Sequence, residues 1–191
     1  MQQLRVEYWQ VIGEVNLADL VFVDETGSNL AMTRRYARSL KGSRAYSDAP
    51  YQRGSNLSLI GAMALRGMVG EMTLPGATDG LAFKTYVTQV LVPNLWIGAC
   101  VVMDNLPAHK ITGIREAIEA VGARVVYLSP YSPDFSPIEN CWSNGLASFS
   151  AHSWARTYAE LDQAITDALA AVTTQDIIGW FTHCCCYISP N

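Results

Sequence analysis

Apolar residues along the chain follow two rhythms. Leu20-Val21-Phe22-Val23 and residues 99–103 are apolar at every position, the pattern of strands buried on both faces, and each run is followed at once by a carboxylate, Asp24 or Asp104. Between them, residues 56–65 and 68–74 are strand-like and flank Arg66-Gly67, where glycine supplies the positive φ of a tight reversal, so a hairpin is predicted. After Pro75-Gly76 the period becomes helical: Thr78 or Asp79 is placed to cap a helix with Phe83, Tyr86, Val87, Val90 and Leu91 on one stripe, and Pro93 ends it. Ile111, Ile114, Ile118 and Val121 then repeat at helical spacing, with Gly122 where a left-handed C-terminal residue belongs, and residues 124–128 predict another strand.

Residues 129–137 form a proline-punctuated loop that delivers the chain into a helix beginning near Ser136. Ile138, Trp142, Leu146 and Phe149 make its apolar face, so Trp142 reads as core and Glu139 points elsewhere. A last long helix runs from Thr157 with Leu161, Ile165, Leu169 and Val172 inward, and a shorter one follows Thr174. A hairpin followed by alternating strands and helices predicts an α/β fold with a mixed sheet, antiparallel and then parallel, and helices on both faces. Residues 1–19 are weakly patterned and read as a lead-in or linker.

Composition narrows the class. Half of the 191 residues are hydrophobic, yet no uninterrupted apolar run approaches the roughly 18 residues that span a bilayer, and the first ten residues lack the features of a secretory signal, so a soluble, non-exported protein is expected. The run Cys184-Cys185-Cys186 cannot easily pair with itself, and its spacing after His183 lacks the CxxC geometry of a zinc site, which favours reduced thiols in a cytosol. A formal charge of -4 argues against binding nucleic acid over the whole surface. The positive charge is nevertheless concentrated: Arg34, Arg35, Arg38, Lys41, Arg44 and Arg53 share their segment with a single acid, Asp48, and with Tyr36, Tyr46 and Tyr51. Such a patch suits a phosphate backbone, and equally a solvated loop.

The carboxylates carry the chemistry. Strand ends on neighbouring strands bring Asp24 and Asp104 together, and an early helical Glu139 supplies a third hard oxygen ligand, a set suited to Mg²⁺ or Mn²⁺. Each has a structural alternative. Asp24 can end a strand, Asp104-Asn105 can form an Asx-turn, and Ser136-Pro137-Ile138-Glu139 matches a capping box with Pro in the first helical position.

Three motifs, Phe22-Val23-Asp24-Glu25-Thr26-Gly27, Val102-Met103-Asp104-Asn105 with His109, and Tyr131-Ser132-Pro133-Asp134-Phe135-Ser136-Pro137-Ile138-Glu139-Asn140, resemble those of the DDE transposases of bacterial insertion sequences in the mariner superfamily. The likeness runs over residues 20–187, leaving 188–191 as a tail, and the thirty-four residues between Asp104 and Glu139 match the spacing of that group. The resemblance implies a ribonuclease-H-like catalytic domain that uses two Mg²⁺ or Mn²⁺ ions, held by Asp24, Asp104 and Glu139, to hydrolyse DNA at element ends and transfer strands into a target. It implies that Glu25 and Asn105 orient the ligands and that His109 touches DNA or the site, a helix-capping or packing role for His109 being equally open. It implies also that the partners are element-end and target DNA and a second subunit or a helix-turn-helix recognition domain, with no membrane involved, in a bacterial cytoplasm at the nucleoid. Two departures leave other expectations open: a helix-turn-helix region is not evident, and residues 144–153 contain no Lys or Arg. A decayed, non-catalytic fragment that binds DNA or dimerises with intact transposase is one alternative; a nuclease of the same fold acting on RNA·DNA hybrids or branched DNA is another.

Overall fold

The protein is described by a computed structural model in which residues 2–30, 39–44, 46, 54, 56–129, 132–146, 155 and 157–184 are placed. Five strands, β1 (Leu20–Ser28), β2 (Leu57–Ala64), β3 (Gly67–Pro75), β4 (Cys100–Met103) and β5 (Arg124–Tyr127), form one sheet in the order β3-β2-β1-β4-β5. β1 pairs antiparallel with β2, and β2 with β3, through the hairpin whose reversal uses Gly67 at φ 135°. On its other side β1 runs parallel to β4, and β4 to β5. A parallel neighbour requires a crossover, which is supplied by the helix α2 (Gly80–Tyr86), capped by Asp79 through a 2.8 Å hydrogen bond from the Ala82 amide, and by a π-helical turn at Val87–Leu91.

Alternation along the central strands sorts the core into two layers. Leu20 and Phe22 on β1, with Cys100 and Val102 on β4, face the layer covered by α1 (Gln2–Gly13), α4 (Pro137–Asn140), α5 (Tyr158–Ala170) and α6 (Thr174–His183). Val21, Val23, Val101 and Met103 face Phe83, Tyr86 and Leu91 and the helix α3 (Ile114–Glu119). The helices predicted from Thr157 and after Thr174 begin where local chemistry places them, with capping boxes between Thr157 and Glu160 and between Thr173 and Asp176. α3 is shorter than its apolar spacing suggests: Pro107 opens a 3-10 turn at Pro107–Lys110, Gly113 sits at φ 97°, and Ile111 stays 39% exposed before the helix starts.

The segment read as a lead-in contains α1, which packs on the core. Tyr8 and Ile12 are buried, Tyr8 stacks on Phe135 at 5.6 Å, and Trp9 meets the same ring edge-on at 4.9 Å. Arg5 lies over Phe135 at 4.0 Å and pairs with Asp134. α1 thus clasps the loop that leads to Glu139. Truncating Ile12 to Ala is expected to cost about 2–4 kcal/mol in urea unfolding, and a loss under about 1 kcal/mol would show α1 to be peripheral. Among the described residues, no helix is long and apolar enough to cross a membrane.

Candidate active site

Strand parity and register bring the first two carboxylates together. Val23 on β1 is level with Met103 on β4, so Asp24 and Asp104 occupy the next positions on adjacent parallel strands, which run about 4.8 Å apart. Both follow residues of the α1/α4 layer by two, so both belong to that face. Only Asp104 stands at a strand end as the sequence suggests. Antiparallel pairing with β2 carries β1 on to Ser28, and Asp24 lies within the strand opposite Gly61.

The third carboxylate arrives on α4, a single turn entered at Pro137 and continued by a π-helical segment at Cys141–Leu146. Ser136 makes no side-chain capping hydrogen bond, so the capping box legible in the sequence does not form and the Glu139 side chain is left exposed. Asp24, Asp104 and Glu139 line one cavity of about 420 Å³, together with Asn105, Leu106 and the hydroxyl residues Ser129, Ser132 and Ser136.

The carboxylates also sense one another. Burial, followed by the charge of Glu139, pushes Asp24 up to about 7 against the backbone amide of Glu25 and the indole N–H of Trp142, which pull it down. Burial, with the charge of Asp104, likewise raises Glu139. Asp104 goes the other way. Burial alone would raise it, but His109 and the Leu106 amide together hold its carboxyl below the usual range. Oδ1 of Asp104 accepts from that amide at 3.2 Å, so the Asx-turn is present as well.

His109 is fully buried. Its Nδ1 lies 2.5 Å from Asp104 Oδ1, its Nε2 lies 3.1 Å from Glu25 Oε1, and its ring packs on Phe83 at 4.0 Å. Burial disfavours the imidazolium, but the two carboxylates win and push its pKa up to about 9. Glu25 follows Val23 in parity, which turns it to the opposite face from Asp24 and towards His109. Asn105 is exposed at the cavity. Among the described residues, no group of three His, Cys, Asp or Glu side chains stands close enough together to hold a metal ion. The carboxylates are spread around the cavity wall, where the charge of Glu139 acts on Asp24 and that of Asp104 on Glu139.

The basic patch is only partly on view: Lys41 and Arg44 are exposed beside a turn closed by the Ser43 amide on the Leu40 carbonyl, while Arg34, Arg35, Arg38 and Arg53 lie outside the described residues. Cys184 is buried and accepts from the Asn140 amide at 3.3 Å; Cys185 and Cys186 lie outside the described residues. Sequence reasoning missed what Trp142 does besides packing. Its indole N–H donates to Asp24 Oδ2 at 2.9 Å, and the available signal was its position three residues after Glu139. It also missed the three serines on the cavity wall.

The model of the DDE superfamily endonucleases matches residues 19–162. The chain belongs to that family. No curated protein matches it in sequence. Among solved structures, this DDE domain is similar to the Mos1 transposase in a pre-cleavage transpososome, with a TM-score of 0.77 at 17% identity over 95% of this chain and 57% of that one. It is similar also to a Mos1 mariner paired-end complex with Mn, at 0.76 and 18% over 95% and 56%, and to the isolated catalytic domain of Mos1 mariner transposase, at 0.69 and 14% over 95% and 84%. The chain therefore spans little more than half the length of the transposase in the first of these structures. The mixed five-stranded sheet with helices on both faces is the ribonuclease-H-like fold they share.

Proposed function

We propose that this DDE domain is the catalytic part of a bacterial insertion-sequence transposase, which cuts DNA at element ends and joins them to a target, with Asp24, Asp104 and Glu139 as ligands of two divalent cations. The observation that carries the reading is one cavity walled by three carboxylates from β1, the end of β4 and α4, in a chain of the DDE family. An all-oxygen donor set, with two carboxyls raised by burial and then by a neighbouring carboxylate's charge, is the chemistry that suits Mg²⁺ or Mn²⁺. Bound there, the cations would supply Lewis-acid stabilisation of charge on the phosphate and a lowered pKa for the attacking water or 3′-hydroxyl.

The chain's own residues hold the ligands. Leu106 and His109 fix one oxygen of Asp104, Trp142 fixes one of Asp24, and the clasp of α1 on Phe135 steadies the loop before Glu139. The Ser129 and Ser132 hydroxyls are bonded to each other at 2.7 Å, which ties the loop before Glu139 to the cavity wall. Arg34, Arg35, Arg38, Lys41, Arg44 and Arg53 are the candidate contacts to the DNA backbone, and Asn105 is a candidate contact at the cavity rim. Joining two ends calls for at least two such subunits, together with a recognition domain or subunit that selects the element, acting at the nucleoid. The test is nicking of supercoiled plasmid DNA in Mn²⁺, lost on chelation and in Asp104→Asn.

A proton on Asp24 competes with a cation. An acid raised to about 7 is mostly protonated at pH 6, so Mn²⁺ uptake is expected to be about tenfold weaker at pH 6 than at pH 8 and to release nearly one proton at pH 6. Isothermal titration in two buffers of different ionisation enthalpy measures that release; pH-independent affinity would remove Asp24 from the ligand set.

A further inference from the structure

The ring of Trp142 is held by two neighbours that face each other across the sheet. Its indole N–H donates to Asp24 Oδ2 at 2.9 Å, and its far edge lies over Gly61, the residue paired with Asp24 on β2. A Cβ at Gly61 would sit 2.7 Å from Cη2 and 3.2 Å from Cζ2 of that ring, so the indole reaches Asp24 only because position 61 has no side chain. Trp142 is 7% exposed, and Gly61 sits in a strand otherwise filled by large or methyl-bearing side chains apart from Ser58.

The choice of donor matters for a cation site. An indole N–H donates one hydrogen bond, accepts none and carries no charge. It can therefore fix one carboxylate oxygen and leave the negative charge of the group intact, whereas Lys or Arg in the same place would cancel that charge and repel a metal ion. The same turn of chain carries Glu139 three residues earlier, which couples the placement of the two carboxylates.

We propose that Trp142 is a positioning residue that presents the Asp24 carboxylate to a divalent cation, and that Gly61 is the seat that lets it do so. The proposal rests on the reading of Asp24 as a cation ligand, and the experiment separates the two. Mn²⁺ binding at pH 8 is measured by isothermal titration for the full chain and for Asp24→Asn, Trp142→Phe, Gly61→Ala and the Trp142→Phe/Gly61→Ala double variant, alongside thermal unfolding of each metal-free protein. Asp24→Asn loses uptake if the ligand reading holds. Trp142→Phe, which keeps an aromatic ring while removing the donor and the second ring of the indole, weakens binding about tenfold while its metal-free melting temperature moves by no more than about 4 °C. Gly61→Ala weakens binding in the same direction by displacing the ring, and the double variant is no weaker than Trp142→Phe, because both changes act through one hydrogen bond. Wild-type affinity in Trp142→Phe overturns the positioning role with the ligand reading intact. A loss of affinity that only tracks a collapse in melting temperature overturns it too, and a wild-type chain that takes up no Mn²⁺ overturns both.

Discussion

Asp104→Asn is expected to leave a folded protein whose Mn²⁺-dependent nicking of plasmid DNA falls by at least about a thousandfold. The substitution keeps the shape and an oxygen at Oδ1, so the hydrogen bonds from the Leu106 amide and His109 can persist and the strand end need not move. What disappears is the charge, and on the proposed reading with it a cation ligand worth about 4 kcal/mol or more to the reacting phosphate, each 1.36 kcal/mol being tenfold in rate. Gel resolution of supercoiled and nicked plasmid against time reads the rate. Equal nicking by the variant and the wild type would assign the cleavage to another site or a contaminant, and would favour a non-catalytic role for this DDE domain.

His109→Leu carries the second large effect, on stability. His109 is fully buried between two carboxylates, Glu25 at 19% exposure and Asp104 at 39%. Removing the imidazolium leaves two negative groups without their counter-charge, at an expected cost of about 3 kcal/mol, or about 10 °C in melting temperature. The sign of its pH dependence follows from the raised pKa. A group that binds its proton more tightly when folded contributes stability fully below its unfolded pKa of 6.5 and loses it as pH rises through about 9. The gap between wild type and His109→Leu should therefore be widest at pH 6.5 and below and should narrow by pH 9.5 in urea unfolding. A gap of constant size would reduce His109 to its packing on Phe83.

Asp24 shows the same sign of linkage from a different cause, its burial. Its carboxyl is raised, so the folded protein binds that proton more tightly than the unfolded chain, and its contribution to stability falls as pH climbs from about 4 to 7. Charge of one sign gathered without compensation is a cost that a structural site avoids and a cation site uses. His109 lowers Asp104, while Asp24 and Glu139 are raised by burial and by a neighbouring carboxylate.

Elements that announce themselves locally were legible in the sequence. The apolar run ending at Val23, the one ending at Met103, the hairpin through Gly67, and the caps at Asp79 and Thr157 depend on residues within a few positions of one another, and each was found where the pattern put it. The proline-rich segment before Glu139 was legible for the same reason. The capping box at Ser136 shows the limit of local reasoning: the residues are present in the right order, and the hydrogen bond is absent.

By itself, then, the sequence determined the mixed sheet, the succession of strands and helices after residue 19, and three acidic residues that follow or begin apolar segments, because apolar periodicity and turn chemistry act over a few residues and leave their mark in the chain. Only the tertiary structure decided that α1 clasps the loop before Glu139, that His109 bridges Glu25 and Asp104, and that Trp142, 118 residues from Asp24, holds one of its oxygens. Apart from His109 and Asp104, which are five residues apart, the partners are distant in the chain and meet only after the sheet has assembled, so no short window contains both.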